Sequence, residues 1–241
     1  MPLQKTQVRF FSSPEDLARA AAIELHGLLQ RRNTTTPFGI ALSGGRIAKP
    51  FYAELVNACI KSPPSLEEVH FFWADERCVP PADAESNFHL ARTNLFDPLK
   101  IPPGQVHRIL GETDPPSAVN QAEAEIGRIM PLNDDGQPIL DLVILGMGED
   151  GHIASLFPGE SEELVKSSAI FRFVTAVKPP PKRVTLGYAP ILVATEVWIL
   201  ISGAGKKDAF ERLIRGDETL PVTRIVQRRQ KTSIFEDIAP V

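Results

Sequence analysis

Leu140-Asp141-Leu142-Val143-Ile144-Leu145-Gly146-Met147-Gly148-Glu149-Asp150-Gly151-His152 is a mostly apolar run that breaks on glycine and ends in charge. Such a run, without strict polar–apolar alternation, reads as a strand buried on both faces. The same pattern recurs on either side. Phe38–Leu42 runs into Ser43-Gly44-Gly45, Val69–Trp73 into Asp75-Glu76-Arg77, and Glu196–Ser202 into Gly203-Ala204-Gly205. Gln7–Phe11 reads as a further strand near the start. Helical spacing fills the gaps, over Pro14–Arg31, Phe51–Ile60, Ser86–Leu95, Ser117–Met130 and from Gly205 to Leu213. The first of these opens on Ser13-Pro14-Glu15-Asp16, an N-cap, a proline at the first helical position and an acid two residues later. Apolar strands alternating with helices predict an α/β fold, a mostly parallel sheet covered on both faces.

The whole chain, 1–241, is expected to be a single domain. At 241 residues it can bury a sizeable core without disulfides or metal. Its 43% hydrophobic and 23% charged content excludes disordered, collagenous and coiled-coil classes. The proline runs, such as Pro179-Pro180-Pro181, read as stiff connectors rather than domain linkers. Lys and Arg number 26 against 30 Asp and Glu, a net charge of −4, so no nucleic-acid partner is expected. An anionic ligand would need a local cluster of basic groups. Cys59 and Cys78 are too few for a disulfide scaffold and suit a reducing cytoplasm. MPLQKTQVRFFSS has no apolar core of a signal peptide. The richest apolar run, Val197–Ile201, is far below the roughly 18 residues of a membrane span.

Ligands of open α/β sheets gather where strands end and helices begin, and these edges carry the reactive residues. Gly146 to Gly151 fits G-x-G-x-x-G, but Glu149 and Asp150 would repel a pyrophosphate, and no acid stands near Ile170–Phe173 to take the ribose hydroxyls. His152, just beyond a glycine turn, is a candidate general base, with Asp150 placed to hold its ring. Ser43, Gly44 and Gly45 can present backbone amides to an anion, and Arg46 adds a full charge. Lys206 and Arg183 are further candidate anion contacts. Asp75-Glu76-Arg77 ends an apolar strand, where charges are often merely solvated. No H-E-x-x-H, EF-hand or paired Cys/His spacing occurs, so no metal is expected. No G-x-S-x-G elbow occurs, which argues against acyl-serine chemistry.

Taken in order, Leu42-Ser43-Gly44-Gly45, Asp75-Glu76-Arg77 with Ser86-Asn87, and Gly146–His152 with Ala154-Ser155-Leu156-Phe157-Pro158-Gly159 resemble the 6-phosphogluconolactonases. Arg183-Val184-Thr185-Leu186 and Gly203-Ala204-Gly205-Lys206 resemble their later blocks. The resemblance implies a doubly wound, Rossmann-like sheet and a hydrolase that needs no cofactor. It further implies hydrolysis of a sugar-phosphate lactone in the oxidative pentose phosphate pathway. On that reading His152, Asp150 and Arg77 are catalytic. Ser43, Gly44, Gly45, Arg46, Asp75, Lys206 and Arg183 bind substrate and phosphate. The expected protein is cytoplasmic, not on membranes, a monomer or weak homodimer.

Glucosamine-6-phosphate deaminases share the Asp-Gly-His turn, but usually follow it with Phe-Asn-Glu-Pro and carry tyrosine at the position of Arg77. Ser155-Leu156-Phe157-Pro158 stands here instead. Arg46-Ile47-Ala48 replaces the Ser-Thr-Pro common in the lactonases, which removes two hydroxyl donors. Ile153 stands where threonine is frequent. The deaminase or isomerase class, and a non-catalytic sugar-phosphate binder, remain the rival readings.

Overall fold

The computed structural model describes residues 6–238. Its elements are β1 (Thr6–Phe10), α1 (Pro14–Arg31), β2 (Phe38–Leu42), α2 (Ala48–Lys61), β3 (Val69–Trp73), β4 (Asp75–Arg77), α3 (Asn87–Ala91), α4 (Asp97–Leu99) and α5 (Pro115–Ile129). There follow β5 (Leu142–Gly146), α6 (Glu162–Val165), β6 (Phe171–Thr175), β7 (Lys182–Leu186), α7 (Tyr188–Val193), β8 (Glu196–Ile201), α8 (Lys207–Arg215), α9 (Pro221–Arg228) and β9 (Thr232–Glu236). Six strands form a wholly parallel sheet in the order β1-β9-β8-β5-β2-β3. The expected α/β doubly wound architecture is therefore present. Its core is one continuous cluster, with Trp73, Trp198, Tyr52, Leu17 and Leu25 among its fully buried side chains.

Local chemistry explains the element starts. Ser13 accepts the Asp16 amide proton and caps α1 at the expected residue. Ser86 caps α3 by accepting from the His89 amide. The expected helix over 86–95 is regular only as far as Ala91 and then widens into a π-turn over Arg92–Phe96. α2 begins at Ala48 rather than Phe51, close behind the Ser43–Gly45 turn. α5 begins at Pro115 because Asp114, not Ser117, supplies the cap.

Asp75-Glu76-Arg77 does not simply end β3. It forms β4 of a second, antiparallel sheet, β4-β7-β6, that sequence reading did not anticipate. The reason is that its polar groups are satisfied far away in sequence rather than by water, as the site shows. No helix among the described residues is long and apolar enough to cross a membrane. The reading of the first residues as lacking a signal segment falls partly on Met1–Lys5, which lie outside the described residues.

Candidate active site

In the large sheet, β2 leads through α2 to β3 on one side, whereas β5 leads on to β8 and β9 on the other. β2 and β5 are paired neighbours, so the strand order reverses between them. The crevice outside their carboxyl ends is where this architecture binds ligands. Ser43–Gly45 leaves β2 there and Met147–His152 leaves β5 there. The turns touch: an atom at the Cβ position of Gly146 would lie 3.8 Å from the Gly44 carbonyl oxygen.

Both turns line one cleft that opens to solvent. Ser43, Gly44, Gly45 and Arg46 form one wall, and Gly146, Met147, Gly148 and His152 another. Asp75, Arg77 and Arg183 enter from the small sheet, and Lys206 from the turn after β8. The structure thus brings every sequence-predicted site residue to this cleft except Asp150. Asp150 stands behind His152, its Oδ1 accepting from the ring Nδ1 at 2.5 Å and from the His152 amide at 3.2 Å. The bond to His152 holds the Asp150 carboxyl well below the usual carboxylate range. With Nδ1–H committed to Asp150, Nε2 is the nitrogen left to accept a proton.

The Met147–Ile153 bridge closes the turn that carries His152, and the Gly148 amide donates to the His152 carbonyl at 2.8 Å. Gly148 is required by packing rather than by backbone torsion. A Cβ there would meet the His152 ring at 2.1 Å. Gly44 is required in the same way, since its Cβ would lie 1.9 Å from Asn87 Oδ1.

The polar residues of β4 face inward. Asp75 accepts from Ser155 Oγ at 2.7 Å and from Asn87 Nδ2 at 3.3 Å. Glu76, 2% exposed, accepts from the amides of Arg77, Asn87 and Phe88 and from Ser86 Oγ. Burial pushes its pKa up despite those four donors. Glu76 therefore braces the loop, while Asn87 lines the cleft and ties Asp75 to α3. Neither role is readable from an Asp-Glu-Arg triplet, because every partner but the adjacent Arg77 amide lies 10 to 80 residues away.

Four cations share the cleft. Arg77 Nη1 donates to the Glu85 carbonyl at 2.7 Å. Arg183 Nε donates to the Pro180 carbonyl at 3.1 Å. Burial, and then the neighbouring Arg77 charge, lowers the Arg183 pKa. Lys206 is pushed down to about 8 by burial, reinforced by Arg46. Arg46 itself is exposed and pairs with Glu149 at 3.3 Å. Among the described residues, no group of three or more His, Cys, Asp or Glu side chains is placed to hold a metal ion.

An imidazole backed by a carboxylate, set in one cleft with a glycine turn and four cations at the switch point of a doubly wound sheet, marks the candidate site of an α/β enzyme. The relatives narrow that class. Residues 12–234 match the family described as glucosamine-6-phosphate isomerases/6-phosphogluconolactonase. The chain is 36% identical over 194 residues to a 6-phosphogluconolactonase of Treponema pallidum, covering 80% of this chain and 79% of that one. A solved 6-phosphogluconolactonase from Trypanosoma brucei superposes with a TM-score of 0.85 at 27% identity, over 97% of this chain and 96% of the other. A monomeric glucosamine-6-phosphate deaminase shares the fold, with a TM-score of 0.81 at 20% identity over 96% and 97%. The chain belongs to the glucosamine-6-phosphate isomerase/6-phosphogluconolactonase family.

Proposed function

We propose that the chain is a carboxylic ester hydrolase that opens 6-phospho-D-glucono-1,5-lactone to 6-phospho-D-gluconate, in the oxidative branch of the pentose phosphate pathway. One observation carries the mechanism: His152 and the Ser43–Gly45 turn line the same cleft. The phosphate lies against the amides of that turn, with Arg46 and Lys206 balancing its charge. His152 Nε2 takes a proton from a water molecule as the water oxygen adds to the lactone carbonyl carbon. The carbonyl oxygen becomes an oxyanion, and Arg77 donates to it. The ring C–O bond then breaks, and the proton on Nε2 passes to the departing ring oxygen. Asp150 keeps Nδ1 protonated and stabilises the transient imidazolium. Asp75 and Arg183 shape the sugar side of the cleft.

The absence of a glutamate after the Asp150-Gly151-His152 turn supports the lactonase over the deaminase reading. Ser155 occupies that stretch and is spent on Asp75. The free thiols of Cys59 and Cys78 support a cytoplasmic setting. The single continuous core of the described residues supports one domain, and the reading takes it to work as a monomer or weak homodimer. The test is turnover of freshly generated lactone, corrected for spontaneous opening, by the wild type and by His152→Ala. Ammonia release from glucosamine-6-phosphate, with no lactone turnover, would overturn the assignment.

A further inference from the structure

Asp150 holds the His152 ring at a single atom, Nδ1. One hydrogen bond leaves an imidazole free to pivot about it, and a base must present Nε2 within hydrogen-bond reach of its water. Two further surfaces close the seat. Gly148 lies beneath the ring, so close that it has no room for a Cβ. Phe157 packs over it, with ring centroids 5.0 Å apart and planes inclined by 39°.

The Phe157 backbone is itself fixed. Ile153 and Leu156, both fully buried, are bridged by a tight turn in which the Leu156 amide donates to the Ile153 carbonyl at 2.9 Å. Within that turn Ala154 adopts a φ of 48°, and Ser155 is pinned to β7 by its amide, donating to Thr185 Oγ1, and to β4 by its hydroxyl, donating to Asp75. Phe157 leaves this clamp already aimed at His152. Its ring also meets Arg183, whose Cζ lies 5.9 Å from the ring centroid. The aromatic ring therefore makes contact with the proposed base and with a cleft cation.

We propose that Phe157 is a positioning residue for the general base. It fixes the ring plane of His152 so that Nε2 faces the cleft, and it is the packing surface between His152 and Arg183. This inference rests on the lactonase reading for its kinetic consequence, but the hold on the ring can be measured without turnover.

Three variants test it: Phe157→Ala, Phe157→Leu and Phe157→Tyr. Loss of the ring should lower kcat by about tenfold, as expected for a slightly misplaced catalytic group, with little change in KM. The affinity for 6-phosphogluconate, measured by calorimetry, should stay within about twofold. Tyrosine restores the aromatic face and should recover most of kcat, whereas leucine restores bulk alone and should remain impaired. In parallel, the His152 Hε1 proton resonance should move when the Phe157 ring current is removed, and stay near its wild-type position in the tyrosine variant.

If Phe157→Ala fails to fold, the contrast between Leu and Tyr carries the same test. A kcat unchanged in Phe157→Leu, or an equal loss in Leu and Tyr, overturns the proposal. So does an Hε1 resonance that ignores the substitution. Wild-type enzyme without lactone turnover would overturn the function reading, and the resonance would still report whether Phe157 sets the ring.

Discussion

The two turns that meet in the cleft are held in place by different means. Met147–His152 is closed from within, by the Gly148 amide on the His152 carbonyl, the Gly151 amide on the Gly148 carbonyl at 3.1 Å, and Asp150 on both the backbone and the ring of His152. Ser43–Gly45 is shaped from outside. Tyr52 of α2 donates to the Ser43 carbonyl at 3.1 Å, and Asn87 of α3 packs where Gly44 has no side chain. Arg46 then reaches into solvent. A base needs its atom fixed to a fraction of an ångström, and a short self-bonded turn gives that. An anion cradle tolerates adjustment, because amides and long cationic side chains can converge on a phosphate from several directions. On the proposed function, rate therefore belongs to the first turn and affinity to the second.

The largest expected effect tests that assignment at its centre. His152→Ala should lower kcat by ~10²–10⁴-fold and leave the calorimetric affinity for 6-phosphogluconate nearly unchanged. Turnover surviving within about tenfold would remove His152 as the base.

A matched pair of glycine substitutions sharpens the division. Gly148→Ala drives a methyl into the His152 ring, and Gly44→Ala drives one into Asn87. Each overpacked site is expected to cost about 1–3 kcal/mol of stability, read as a lower melting temperature. Their kinetics should differ: Gly148→Ala lowers kcat, and Gly44→Ala raises KM. If both alter the same parameter, the two turns do not divide the work as stated.

The third effect is smaller and depends on pH. Lys206 titrates near 8 in the free protein, lowered by burial and by Arg46. It is charged below that pH and neutral above it, and only the charged form attracts a phosphate. Affinity for 6-phosphogluconate should therefore be full below pH 8 and weaken as the pH rises through it, by at most about tenfold per unit for one proton. Lys206→Met should flatten the profile. Calorimetry with the stable product avoids the lactone's spontaneous opening. A profile that survives in Lys206→Met assigns the titration to another group.

What could be read from sequence follows the same contrast. β2 and β3 are legible to the residue because their runs, Phe38–Leu42 and Val69–Trp73, carry no polar side chain except His70 and end on turn or charge signals. The cleft was legible because its reactive residues sit beside glycines at strand ends, a purely local signature. The small sheet was not. β6 carries Arg172 and Thr175 amid its apolar residues, and β4 consists of Asp75, Glu76 and Arg77, which read as solvated. β9 is buried along its whole length despite Thr232, Ser233 and Glu236. Glu76 is acceptable inside only because Ser86, Asn87 and Phe88 fold back onto it. Partners that distant leave no periodic trace in the chain.

Arg46 gives the smallest expected effect. It replaces a hydroxyl residue common in the lactonases, and its guanidinium already has a partner in Glu149 across the cleft mouth. A phosphate must compete with that carboxylate for it, and both side chains are more than half exposed, so water and salt screen the exchange. The net contribution is the difference between two similar charge pairs. Arg46→Ala should raise KM by about two- to fivefold, the range of an exposed ion pair, with kcat unchanged. The increment should shrink in added salt, because a screened charge attracts the phosphate less. In Glu149→Gln the competing carboxylate is gone, so removing Arg46 should then raise KM by a larger factor than in the wild type. A KM indifferent to Arg46 in both backgrounds would leave the cradle to the Ser43–Gly45 amides and Lys206, and the affinity turn would work through its backbone.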